Sequence, residues 1–204
     1  MLPDRRPLLE LASAPGLGLP HERADAARNR EALLLATQEL VASCGVEAVT
    51  MDAVAARAGV GKGTVFRRFE SREGLMASLL NFSESEWQAS VISGPPPLGP
   101  GAEPYPRLVA FGRSRLESTL RFAELIRAAG ASGTRSYAAY SFAALHVRML
   151  LVRLGVTGDL PILTTAVLAP LESAILHQQV SVEGFPIDRV HEGWVDLVDR
   201  IIRR

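Results

Sequence analysis

The chain reads as all-α and in two parts: an N-terminal three-helix domain over residues 23–80 and a C-terminal helical bundle over residues 81–204. Three observations carry this. Runs of alternating β-branched residues are missing, and Ala, Leu, Arg and Glu dominate, side chains that lose little on entering a helix. Apolar residues recur at spacings of three and four, the repeat of a helix with one buried stripe. A single Pro/Gly-rich stretch, 93–104, interrupts the helical pattern, because proline has no amide to donate and its ring clashes with the preceding turn.

Composition narrows the function classes. With 48% hydrophobic residues among 204, a sizeable core is available and wholesale disorder is excluded. The 22 basic and 22 acidic residues cancel, which excludes histone-like charge but not a local basic patch. The basic residues are 21 Arg and one Lys, Lys62. One cysteine, Cys44, excludes an internal disulfide and a cysteine-rich zinc site. No stretch approaches the ~18 apolar residues of a membrane span, so no membrane partner is expected. At the N-terminus, Arg5-Arg6, Leu8-Leu9 and Ala12-Ser13-Ala14 imitate a secretory signal, but the apolar segment is short, carries Glu10, and is followed by Pro15. Residues 1–22 are therefore expected to be a flexible arm, and the expected compartment is the cytoplasm.

The first helix is expected over about 23–44, with Leu33, Leu34, Ala36, Thr37, Leu40 and Val41 on one stripe and Gly45 as the residue that ends it. Leu35 breaks the stripe, as an exposed leucine or a contact for the C-terminal part. Thr50 reads as the N-cap of a short helix ending at Ala58, with Val54, Ala55 and Ala58 inward. Gly59 stops it. After Gly59-Val60-Gly61 a third helix is expected over 62–68. Ser71 opens a fourth, with Glu73 in its first turn, running through Leu75, Met76, Leu79, Leu80, Phe82 and Trp87 to about residue 92.

Two short helices joined by a three-residue glycine turn form a helix-turn-helix, whose second helix lies in the major groove of duplex DNA. The chemistry of residues 57–72 suits that placement. Arg57, Lys62, Arg67, Arg68 and Arg72 are opposed only by Glu70, which leaves this window at +4 in a chain of zero net charge. A positive field releases phosphate counterions and supplies non-specific affinity. Gly61 and Gly63 let the backbone approach the duplex, and Thr64 offers a hydroxyl to phosphate. Phe69 reads as a core residue of the three-helix bundle rather than a DNA contact.

Residues 30–80 resemble the DNA-binding domain of TetR-type transcriptional regulators. The resemblance rests on Leu33-Leu34, Ala36, Leu40-Val41, Gly45, Thr50, Val54-Ala55, Ala58-Gly59-Val60, Gly63-Thr64-Val65-Phe66, Phe69, Ser71 and Leu75, in the family's order and spacing. It implies that Lys62, Gly63 and Phe66 face the groove and that Thr50, Thr64, Arg68 and Arg72 meet phosphates, with Arg67 able to reach either a base edge or a phosphate. A groove-facing Arg or Lys most often reads guanine O6 and N7. The chain departs from the family at Phe66, where Tyr is usual, losing a phosphate hydroxyl contact while keeping the packing. Arg72 stands where Lys is common and can fork onto phosphate.

Beyond the proline loop, helices are expected at about 105–120, 121–130, 135–155, 159–181 and 187–203, with gaps at 130–133, 155–158 and 183–186. Short gaps imply antiparallel neighbours. In the family this half encloses a small-molecule cavity, and its last two long helices pair with those of a second subunit. Independently, residues 160–180 are apolar over much of the helix circumference, through Ile162, Leu163, Ala166, Val167, Leu168, Leu171, Ala174, Ile175 and Leu176. Such a helix needs cover on more than one side. A second subunit is one cover and a central position in the bundle is the other; the homodimer through 159–181 and 187–203 is the reading carried forward. The final helix adds Val190, Trp194, Leu197, Val198 and Ile201, with Arg200, Arg203 and Arg204 placed favourably for its C-terminal dipole.

Candidate effector-lining residues are Trp87, Phe111, Tyr137, Tyr140, His146 and His177, with Phe122 and Phe142 beside them, although each alone reads as core packing ahead of ligand contact. The four histidines, at 21, 146, 177 and 191, lack metal-ligand spacing, and no acid pair, nucleophile triad or phosphate loop appears. No metal, cofactor or catalysis is therefore expected. The resulting expectation is a dimeric, ligand-responsive regulator, most simply a repressor, that binds a near-palindromic operator and is released by a small-molecule effector. Two other readings remain open at this point: a helical enzyme or small-molecule carrier with a vestigial helix-turn-helix, and a DNA-binding regulator controlled by a protein partner through the arm.

Overall fold

The computed structural model describes residues 20–130 and 137–203, with side chains described from 25 to 130 and from 139 to 203. The described elements are all helical. Helix α1 is Pro20–Cys44, α2 Met51–Ala58, α3 Lys62–Phe69, α4 Arg72–Ser93, α5 Pro104–Arg121, α6 Ala123–Ala128 and α7 Tyr137–Arg153. Helix α8, Leu160–Leu168, passes into a tight turn at Ala169–Leu171. Then come the short α9, Ser173–Leu176, a wide-turn segment at His177–Val182, and α10, Ile187–Ile202.

Local chemistry sets the boundaries. The Thr50 hydroxyl accepts the Ala53 amide at 3.1 Å and opens α2. Gly59, at φ 67°, ends α2 in the left-handed conformation that costs glycine nothing. The Ser71 hydroxyl accepts the Gly74 amide at 3.0 Å and opens α4. Between α3 and α4, Glu70 holds φ 65°, the one positive value at a non-glycine among the described residues. Gly74 allows this tight junction, because a Cβ there would lie 2.2 Å from the Phe69 carbonyl oxygen.

Two apolar cores result. The first unites Leu33 and Leu34 of α1, Val54 of α2, Val65 and Phe69 of α3, and Leu75, Met76 and Leu79 of α4. Leu125 and Ala129, from α6 and its end, complete it. The second unites Trp87 and Val91 of α4 with Leu108, Phe111 and Leu116 of α5, Val147 and Leu150 of α7, Val167 and Leu168 of α8, and Val190, Trp194 and Val198 of α10. Helix α4 thus contributes to both cores, and α6 lies against the first. The Trp194 indole donates to the Val167 carbonyl at 2.8 Å, fastening α10 to α8. Its ring lies on Gly112 of α5, where a Cβ would come within 2.1 Å of Cζ3.

Several expectations are corrected. Helix α1 starts at Pro20 rather than 23, since proline suits the first turn, so residues 20–22 of the expected arm are helical. Residues 1–19 lie outside the described residues. Helix α6 stops at Ala128, short of 130, and most of the 130–133 gap lies outside the description. The helix expected over 159–181 is broken. Pro170 has no amide to bond back, and Glu172 is extended at ψ 145° with its amide on the Ala169 carbonyl. The stretches Leu160–Leu171 and Ser173–Val182 consequently meet at 41°. Among the described residues no single helix is long and apolar enough to cross a membrane.

Candidate nucleic-acid interface

Helix α3 is anchored from inside and open outside. Val65 and Phe69 are buried in the N-terminal core, and the amphipathic spacing turns Lys62, Gly63, Phe66 and Arg67 to the surface. Phe66 is 42% exposed, an unusual placement for a large aromatic with no partner from the core. Val60, in the turn before α3, is exposed as well. Gly61 caps α3 with no side-chain hydrogen bond, leaving amides of its first turn facing outward. A Cβ at Gly61 or Gly63 would meet nothing within 4 Å, so nothing in the folded chain requires glycine at either place.

The predicted basic contacts divide into two groups. Arg67 is exposed and has no ion-pair partner among the described residues. Lys62 is exposed too, but its ammonium donates to Asp52 of α2 at 2.7 Å and stands 5.7 Å from the Phe66 ring centroid. Arg68 reaches back to the Ala26 carbonyl at 3.0 Å. Arg72 is half-buried and clamps the α1–α2 loop through the Val49 and Val46 carbonyls, at 3.0 and 2.7 Å. Its guanidinium therefore holds scaffold first, which its position in the sequence did not reveal. Thr50 spends its acceptor lone pair on the α2 cap, and its hydroxyl proton remains free to face a phosphate. Thr64 is half-buried on α3. Three acids missed by sequence reading temper the +4 window: Asp52 on Lys62, Glu39 on Arg57 at 2.8 Å, and Glu47 on Arg72 at 3.7 Å. None is near its partner in sequence.

Of the effector candidates, the fold gathers Trp87, Phe111 and His146 in one place, with Phe142. The ring centroids of Trp87 and Phe111 are 5.4 Å apart, and His146 stacks on Phe111 at 5.1 Å. Burial, reinforced by the charge of Arg107, lowers the His146 pKa to about 4, so the imidazole is neutral at pH 7. Tyr140 is not in this cluster; its hydroxyl pairs with Thr165 of α8 at 3.2 Å. His177 is exposed, which removes it from any interior lining. Phe122 packs on the N-terminal core instead. The Tyr137 side chain lies outside the described residues. Sequence reading missed Arg115, buried beside Trp87 and paired with Glu84 at 2.7 Å. A signal for it existed, because Arg115 sits three and four residues after Gly112 and Phe111 on the apolar face of α5.

Residues 33–79, which span this helix-turn-helix and its supporting core, match the family model described as bacterial regulatory proteins, tetR family. The matched segment is about a quarter of the chain and carries its likeness to the tetR family. The whole fold is similar to that of solved transcriptional regulators. It aligns with a TetR transcription regulator from Haloarcula marismortui at TM-score 0.67 and 13% identity, covering 86% of this chain and 98% of that one. A transcriptional regulator from Rhodococcus sp. Rha1 aligns at TM-score 0.60 and 18% identity, over 85% and 96% of the two chains. Thermus thermophilus FadR, a TetR-family repressor solved with lauroyl-CoA, aligns at TM-score 0.53 and 20% identity, over 82% and 92%. At these identities the likeness is one of fold. No curated protein matches the chain in sequence.

Proposed function

We propose that this chain is a TetR-type regulator, a dimeric, ligand-responsive repressor that binds a near-palindromic operator. The observation that carries the reading is the outward face of α3. Phe66, Gly63, Lys62 and Arg67 are presented together on a helix whose opposite face is locked into the core. In this reading Lys62 and Arg67 read base edges, Phe66 touches a thymine methyl, and Gly63 admits the DNA backbone. Thr50, Thr64 and Arg68 meet phosphates. Arg72 adds a phosphate contact from the loop it also braces.

The dimer is proposed through 159–181 and 187–203. Ile162 of α8 is 65% exposed, Ile175 lies uncovered on α9, and a surface groove runs between Pro170, Gly193 and Leu197. A second copy covers these apolar positions and sets two α3 helices about one helical turn of DNA apart, or a multiple of it. Effector binding between α4, α5 and α7 favours a conformer with the wrong spacing, which requires different ligand affinities in the two conformers. Solved neighbours in complex with ligands as unlike as lauroyl-CoA, for the Thermus thermophilus repressor, and choline, for a regulator from Saccharomonospora viridis, support a ligand-responsive reading without naming the effector. Light scattering at working concentration is expected to give the mass of two chains. A mass of one chain, with operator bound all the same, overturns the dimer.

A further inference from the structure

We propose that the layer between α4, α5 and α7 is a site for an amphipathic organic monocarboxylate, whose carboxylate takes the Arg115 guanidinium from Glu84 while its apolar body packs on Trp87, Phe111 and Phe142. This rests on the ligand-responsive reading above and supplies the chemistry of its ligand.

The first argument is charge. The charged side chains buried in the described core are Arg107 and Arg115, both on α5. They face one carboxylate, Glu84, whose side chain is 17% exposed against 6% for Arg115. Arg107 is held by neutral acceptors, the Leu98 and Val91 carbonyls at 3.1 and 2.9 Å. Two cations against one marginal anion leave the interior positive, and an unbalanced buried charge is costly. An incoming anion lowers that cost, whereas an incoming cation raises it.

The second argument is unmet hydrogen bonding. Arg115 Nε, Ser83 Oγ, Thr119 Oγ1 and His146 Nε2 are buried with no partner among the described residues. Ser83 lies one turn of α4 from Trp87, and Thr119 one turn of α5 from Arg115. Arg115 thus offers an unused donor, and two unpartnered hydroxyls lie close along the chain, Thr119 one turn along α5 and Ser83 next to the ion-pair partner Glu84; a guanidinium donor with hydroxyls is the equipment a carboxylate needs. The walls are apolar: Trp87 stands 6.0 Å from Phe142 and carries the Arg115 guanidinium 4.6 Å from its ring centroid. That guanidinium already fills the cation position on the indole face.

The third argument is access and release. A cleft of about 370 Å³ between α1, α4 and α5 is lined by Ser83, Trp87 and Ser114, and so reaches the edge of this layer at Trp87; Arg115 and Glu84 lie behind that edge and do not line it. Glu86 and Glu117 at its mouth are exposed and screened by solvent, unlike the buried guanidiniums. Glu84 already accepts from Gln88 at 3.3 Å near the surface, so a displaced carboxylate has a destination. Because Glu84 sits on α4, which continues into the N-terminal core, exchanging its partner loosens the grip of α5 on the helix that carries the DNA-binding domain.

The test uses the full chain with three matched probes, 4-phenylbutyrate, 4-phenylbutanol and 4-phenylbutylamine, followed by calorimetry and thermal shift. The acid is expected to bind at least tenfold more tightly than the alcohol, and the amine more weakly than either. Glu84→Gln removes the competing carboxylate and is expected to tighten the acid about tenfold with little change for the alcohol. Arg115→Met erases the preference for the acid; should that variant not fold, the parent and Glu84→Gln still decide. Equal binding of alcohol and acid, tightest binding of the amine, no binding of any probe at millimolar concentration, or an unchanged acid affinity in Glu84→Gln each overturns the proposal. Operator binding measured without probes separates the two readings. If it is intact while the acid has no advantage, the carboxylate site fails alone. If it is absent while the acid still binds through Arg115, the regulator reading fails and the site stands.

Discussion

Single side chains on α3 separate what the fold needs from what a duplex needs. A Cβ at Gly63 meets only open space, and glycine is a poorer helix residue than alanine by up to about 1 kcal/mol. Gly63→Ala is therefore expected to leave the urea midpoint unchanged or slightly raised while operator affinity, read by fluorescence anisotropy, falls at least tenfold. Retained affinity places the backbone of α3 away from the DNA. Lys62→Ala is expected to cost roughly 1–3 kcal/mol on the selected operator and to relax preference at one base pair. Arg68→Ala is expected to weaken all sequences alike and to flatten the salt dependence by about one contact. Reversed phenotypes would exchange the two roles. Thr50, Gly59 and Ser71 were legible in the sequence because a cap is decided within three or four residues. The Lys62–Asp52 pair and the Arg72 clamp were not, because their partners lie 10 to 26 residues away and meet only through the fold.

Among the elements, α4 and α5 carry the connection between the two cores. Helix α4 supplies Leu75, Met76 and Leu79 to one and Trp87 and Val91 to the other, so the proposed ligand response has one continuous helix through which to reach the core that holds α3. Helix α5 is held to α10 by the seat of Trp194 on Gly112, where even a methyl group clashes with the indole. Gly112→Ala is expected to destabilise the chain by about 1–3 kcal/mol in urea titration, the range for overpacking a filled core. An unchanged midpoint would mean that α10 is not seated on α5 as described. The broken helix after residue 168 shows how apolar periodicity alone misleads. The stripe from Leu160 to Leu176 continues through a proline, and the stripe outweighed the missing amide of Pro170 in the sequence reading. The buried arginines of α5 were illegible for the converse reason: a charge on an apolar face contradicts the pattern unless its carbonyl and carboxylate partners are already known.

At the scale of the whole molecule, the neutral formal charge conceals an ordered distribution. Basic residues gather on the helix-turn-helix, two guanidiniums lie inside the C-terminal half, and acids answer them only in part. The helix-turn-helix was readable because its turn glycines, caps and core positions are local and mutually consistent. The grouping of Trp87, Phe111 and His146 needed three helices to converge, and no spacing within one helix foretells that. The central claim is that α3 reads duplex DNA on behalf of a symmetric dimer. Selection of bound sequences from a random duplex pool tests it most directly, with the Lys62→Ala, Arg67→Ala double variant in parallel. The account predicts enrichment of a near-palindrome with half-sites about one helical turn apart or a multiple of it, and loss of that enrichment in the double variant. A pool without enrichment, or the same site recovered by the double variant, would contradict it.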